Sequence, residues 1–153
     1  MPFIANTPMH RIQTRVYYAE TDAGGVVYHA AYLNYAERAR VEFMRDLGFS
    51  VADLTRDHGL IFAVRHCDID FSSPARLDDA LEITSEIVEI GGASIRFRQV
   101  INKTGMDAAK PLVVINVTLV AINKDAKACR IPDFLREKIS IYAPAMTGKK
   151  GEE

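Results

Sequence analysis

Glu20-Thr21-Asp22-Ala23-Gly24-Gly25-Val26-Val27-Tyr28-His29 leads from an alternating segment, through a double glycine, directly into an amphipathic run. Upstream, Ile12, Thr14, Val16 and Tyr18 alternate with Arg11, Gln13, Arg15 and Tyr17, the period of two that turns one face of a strand toward a core. Downstream, Tyr32, Ala36, Ala39, Phe43 and Leu47 recur every three or four residues, which predicts a helix over 30–47 ended by Gly48. Small Ala36 and Ala39 on that stripe let the helix lie close to a sheet, and Arg38 and Glu42 are spaced for an i,i+4 pair. The order strand, tight loop, helix sets the Asp22 carboxylate beside a helix N-terminus, where backbone N–H groups lack partners and can hold a developing oxyanion.

Beyond that helix, 51–58 reads as a second short one before Gly59, and the pattern then changes to strands over 60–71, 80–90, 94–102 and 112–123. Pro74, Gly91-Gly92 and Lys103-Thr104-Gly105 break them apart. Ile95, Phe97 and Ile101 share a face opposite Arg96 and Arg98, as in a half-solvated antiparallel strand. The 112–123 segment is apolar on both faces apart from Asn116 and Thr118, which marks a central strand or one in a subunit interface. A short helix over 131–141 follows Pro132. One strand, one long helix and four successive strands exclude a doubly wound βαβ sheet and predict an α+β domain, with an antiparallel sheet packed on one helix. Residues 1–9 read as a loose N-terminal arm, 10–143 as a single domain and 144–153 as a polar tail.

Composition narrows the function. The chain has 153 residues, is 48% hydrophobic and 25% charged, and carries a net charge of -1, so it has material for one core and no global attraction for nucleic acid. Cys67 and Cys129 lack C-x-x-C spacing and lie among apolar residues, as buried free thiols do in a reducing compartment. The N-terminus has no basic and apolar leader, and no apolar run approaches the roughly 18 residues of a membrane span. These features predict a cytoplasmic protein.

An activated acyl group needs a base or nucleophile and donors for its carbonyl oxygen. Asp22 supplies the first, and the amides around His29 and Ala30 the second. One aligned donor is worth on the order of 3 kcal/mol, against about 0.3–1 kcal/mol for the helix dipole at an exposed site, so the amide outweighs the dipole. Gly24 and Gly25 let the chain turn and a ligand approach the backbone. The competing reading is that Asp22 only caps a turn, and the residues alone leave the two even. His29 has acid–base, orienting and capping readings; no second His or Cys stands at ligand spacing, so a metal site is not expected. His10, His58 and His66 read as structural or exposed. Tyr17, Tyr18, Tyr28, Tyr32 and Tyr35 read as core before acyl-pocket lining, with Tyr28 the best candidate for the pocket.

The run from Arg15 to His29, with Tyr32 and Glu37-Arg38-Ala39-Arg40, resembles the hotdog-fold acyl-CoA thioesterases, most of all the tol-pal system-associated branch related to 4-hydroxybenzoyl-CoA thioesterase. Phe71, Pro74-Ala75-Arg76-Leu77-Asp78-Asp79 and Leu81-Glu82-Ile83 extend the likeness over nearly the whole domain. The resemblance implies a helix wrapped by a curved sheet, homodimers or homotetramers with active sites between subunits, an acyl-CoA substrate, and neither metal nor organic cofactor. It implies Asp22 as nucleophile or general base and the backbone N–H of His29 as oxyanion donor. Gly25 and Tyr28 would meet the substrate, while Arg76 and Arg96, with Arg65 and Arg98 as further candidates, would grip coenzyme A phosphates. Two rivals stand beside hydrolysis: an acyl-thioester hydratase or dehydratase, and a non-catalytic module binding acyl-CoA or an acyl carrier protein.

Overall fold

A computed structural model of the chain describes residues 9–106 and 110–143. The expected arm, apart from Met9, and the expected polar tail lie outside the described residues. The helices are α1 (Ala31–Asp46), α2 (Val51–His58) and α3 (Asp133–Ile139), and the strands β1 (His10–Arg15), β2 (Ile61–Phe71), β3 (Ala80–Ile90), β4 (Ser94–Lys103) and β5 (Val113–Ile122). The strands form one antiparallel sheet in the order β1-β3-β4-β5-β2. This is the α+β arrangement expected from the order of elements.

Of the predicted stripe, Tyr32, Ala36, Ala39 and Phe43 join the core, and Tyr35 joins them, whereas Leu47 is the C-cap and only partly buried. They face Leu81, Ile83 and Ile87 of β3, Ile95, Phe97 and Ile101 of β4, and Ile115 and Val117 of β5. Ala36 and Ala39 do bring the helix close, because the Gln99 side chain on β4 donates to the Ala36 carbonyl at 2.9 Å. Gly48 takes φ +101° just beyond the helix, where a residue with a Cβ would be strained. The Arg38–Glu42 pair does not form. Glu42 instead accepts from Arg45 at 3.1 Å, and Arg38 lies over the Tyr35 ring.

Strand β1 stops at Arg15, short of the alternation's end at Tyr18. Glu20 ends it: its carboxylate accepts from the Tyr17 amide at 2.9 Å while its own amide donates to the Tyr17 carbonyl, winding Tyr18–Glu20 into a 3-10 turn. Tyr18, expected on the buried face, is therefore 81% exposed. Tyr17 and Tyr28 are exposed too, so only Tyr32 and Tyr35 of the five tyrosines are core.

Strand β5 lies between β4 and β2, as its two apolar faces predict. Strand β2, in contrast, pairs on one side only among the described residues. Its outer edge runs for 11 residues, is bulged at Arg65 and leaves Ile61, Val64 and Phe71 exposed. Both cysteines are free and half-buried.

Candidate active site

The glycine loop is closed by its own backbone. The Asp22 amide donates to the Val26 carbonyl at 2.9 Å, the Gly25 amide to the Asp22 carbonyl at 3.0 Å, and Thr21 bridges Val27. Gly25 needs its φ of +79°, and a Cβ at Gly24 would come within 3.3 Å of Asp22 Oδ1. That oxygen accepts from the Gly24 amide at 2.8 Å. Asp22 thus does cap the turn, but with one oxygen only. Among the described residues its second oxygen has no partner, and the side chain is exposed.

Backbone amides remain open where α1 begins. Tyr28 N–H donates to the Glu20 carbonyl and Ala31 N–H to the Tyr28 carbonyl, each at 2.8 Å. Between them, the amides of His29 and Ala30 have no acceptor among the described residues, and Ala30 at the N-cap has no side chain that could supply one. Free donors at a helix start and a half-engaged carboxylate in the loop that leads into it are the groups that an oxyanion site with a base or nucleophile requires. The His29 ring stacks obliquely on Tyr28, 4.5 Å between centroids, and makes no hydrogen bond to Asp22 among the described residues.

A second segment, Pro74 to Asp79, braces the loop. Ala75 accepts from the Val27 amide at 2.8 Å, and its own amide donates to the Tyr32 hydroxyl at 3.0 Å. Leu77 N–H reaches the Gly25 carbonyl, and Arg76 bridges Val26. Burial raises the Tyr32 pKa, and burial with the Glu20 carboxylate raises that of Tyr35, so both phenols stay protonated. The Tyr32–Ala75 bond joins residues 43 apart in sequence, and no local signal announced it.

The arginine candidates separate. Arg76 is exposed, adjoins Gly25 and Val26, and enters no ion pair among the described residues. Arg96 pairs with Glu89 at 2.5 Å and Arg98 with Glu86 at 3.6 Å. Arg15 faces Ala80 at the loop end of β3, whereas Arg96 faces Glu89 nine residues along it, about 30 Å away at the rise of an antiparallel strand. The structure does not bring Arg96 to the Asp22 loop of its own chain. Arg65 stands at the β2 bulge. Beside the loop, Val27, Tyr32, Phe71 and Pro74 line a cavity of about 250 Å³. Among the described residues, no group of His, Cys, Asp or Glu is gathered to hold a metal ion, and no helix is long and apolar enough to cross a membrane.

Residues 16–139 match the model of the Thioesterase-like superfamily. The chain belongs to that superfamily. Within it, the chain is 41% identical over 120 residues to the acyl-CoA thioesterase YbgC of Haemophilus influenzae, covering 74% of this chain and 88% of the relative. It is 46% identical over 112 residues to the acyl-CoA thioester hydrolase YbgC of Escherichia coli, covering 71% and 83%. A crystal structure of a probable thioesterase from Bartonella henselae superposes with a TM-score of 0.75 at 41% identity, over 82% of this chain and 100% of that one. The superfamily match runs from Val16 through α3, so it takes in the Asp22 loop, the open helix start and the bracing segment. The hotdog fold expected from the resemblance is the fold found.

Proposed function

We propose that this protein hydrolyses acyl-CoA thioesters to a free acid and coenzyme A. The observation that carries the reading is that, among the described residues, the His29 and Ala30 amides have no acceptor and the Asp22 carboxylate in the loop leading to them has one oxygen without a partner. The thioesterase names of its relatives support it. With the thioester oxygen held by the His29 amide, Asp22 takes a proton from water as the water oxygen bonds to the carbonyl carbon. The tetrahedral intermediate then expels the thiolate, which recovers the proton, and the C–S bond is replaced by C–O. In the nucleophilic variant the Asp22 carboxylate attacks the carbonyl carbon and the C–S bond breaks to expel the thiolate; water then cleaves the resulting anhydride, which restores the carboxylate and supplies the thiolate's proton. Gly25 leaves the backbone open to the thioester, Tyr28 lies at the mouth of the site, and Arg76 meets a phosphate of coenzyme A.

A second copy joined along the open β2 edge would cover Ile61, Val64 and Phe71 and complete the site from two subunits. The half-buried free cysteines accord with a cytoplasmic setting. Thiol release and free-acid formation, followed together over a panel of acyl-CoAs from short to long and aromatic, test the proposal. Both products should appear in equal amounts for at least one substrate. Tight acyl-CoA binding without either product would leave a binding module instead, and loss of enoyl absorbance without thiol release a hydratase.

A further inference from the structure

Midway along α1, Arg40 breaks the apolar stripe. It follows Ala36 by one turn and precedes Phe43 by another, and its side chain is partly buried. Its Nη1 donates to Gln99 Oε1 at 3.0 Å. Gln99, 0% exposed, is itself fixed, since its amide nitrogen donates to the Ala36 carbonyl at 2.9 Å and to Ser85 Oγ at 3.0 Å. The guanidinium is therefore held in place by a neutral network. Among the described residues it forms no ion pair, although exposed arginines at 45, 56 and 96 and the half-buried Arg98 all do. Burial pushes its pKa below the ordinary arginine value, and Glu37 one turn earlier offsets the lost hydration only in part.

The same side chain borders a cavity of about 160 Å³, walled by α1, α2 and the sheet through Met44, Leu54, Phe62, Val64, Phe97 and Leu119, with the exposed Glu37 also on its wall. Burying a cation whose nearby carboxylate, Glu37, makes no ion pair with it is costly, and guanidinium has five donors, of which Gln99 occupies one. A largely apolar cavity whose wall holds a fixed guanidinium, with Glu37 turned mostly to solvent, suits an apolar chain that carries a carboxylate, because the planar fork matches two carboxylate oxygens.

We propose that Arg40, anchored by Gln99, is a specificity-determining residue that binds a carboxylate at the far end of the acyl group, so that mono-thioesters of dicarboxylic acids are preferred over plain acyl chains of equal length. This rests on the thioesterase reading and deepens it by naming a substrate class. Arg40 shares its cavity wall with Ile61, Phe62 and Val64 of β2. Arg40 thus stands beside the edge along which a second subunit would complete the site.

Calorimetry on Asp22→Asn protein reads binding without turnover, with each dicarboxylic mono-CoA thioester paired against the plain acyl-CoA of the same length. The dicarboxylic member should bind on the order of 10–100-fold more tightly at one chain length, the worth of a charge-assisted hydrogen bond. Adding Arg40→Met should collapse that ratio to near one, and Gln99→Met should reduce it. Arg40→Lys keeps the charge but loses the fork, and serves as the folded control if the methionine variant melts early. It should retain only part of the ratio. Equal binding of both members at every length, or a parallel loss of both in the Arg40 variants, overturns the proposal. Failure of the thioesterase reading shows separately, as absence of thiol release by the wild-type protein.

Discussion

Asp22 commits only one carboxylate oxygen to its turn, so capping does not rule out the catalytic role proposed for it, and the residues alone left the two readings even. Oδ1 holds the turn through Gly24 N–H, which leaves the other oxygen for water or substrate. Gly25→Ala must strain a backbone at φ +79°, at a cost of about 1–2 kcal/mol. The expected outcome is a lower melting temperature, with loss of thiol release beyond what the melting shift explains. Tyr32→Phe removes the acceptor of the buried Ala75 amide, a loss of about 1–3 kcal/mol. Chemical denaturation should show this as a lower midpoint with an unchanged slope. Two signals for Arg40 were present in the sequence: an arginine at a stripe position of α1, and Gln99 on the face that Ile95, Phe97 and Ile101 bury. Their bond to each other is non-local and became visible only in three dimensions.

Among the elements, those with long periodic patterns were legible. The α1 stripe and the four later strands fall where spacing and glycine breaks put them. The end of β1 was not legible, because Tyr18 continues the alternation while Glu20 imposes a turn through hydrogen bonds that periodicity does not encode. The placement of Arg96 depends on strand register, so its distance from the Asp22 loop followed only from the β1–β3 and β3–β4 pairings. Strand β2 read as an ordinary strand, yet it is an open edge with exposed apolar residues. Replacing Val64 with lysine should weaken a subunit contact along that edge. Analytical ultracentrifugation should show the association constant falling, and an unchanged constant would remove the edge from the interface.

At the scale of the whole molecule, folding protects two phenols. Tyr35 is fully buried near Glu20, so its folded pKa lies above the ordinary value of about 10. The folded chain keeps a proton that the unfolded chain releases. The resulting stability is complete below about pH 10 and is lost as pH rises further. Tyr35→Phe should flatten that alkaline decline in a melting-temperature profile, and an identical slope would show that the decline arises elsewhere. The same burial anchors α1 on the sheet, and with it the helix start that leaves the His29 and Ala30 amides open.

Thiol release from one acyl-CoA by the wild-type and Asp22→Asn proteins, at matched concentration and confirmed fold, tests the central claim most directly. The Asp22→Asn rate should be lower by about 10²–10⁴-fold, the usual contribution of a positioned general base, or by more if Asp22 is the nucleophile. Equal rates would contradict the assignment of Asp22 as the group that drives hydrolysis.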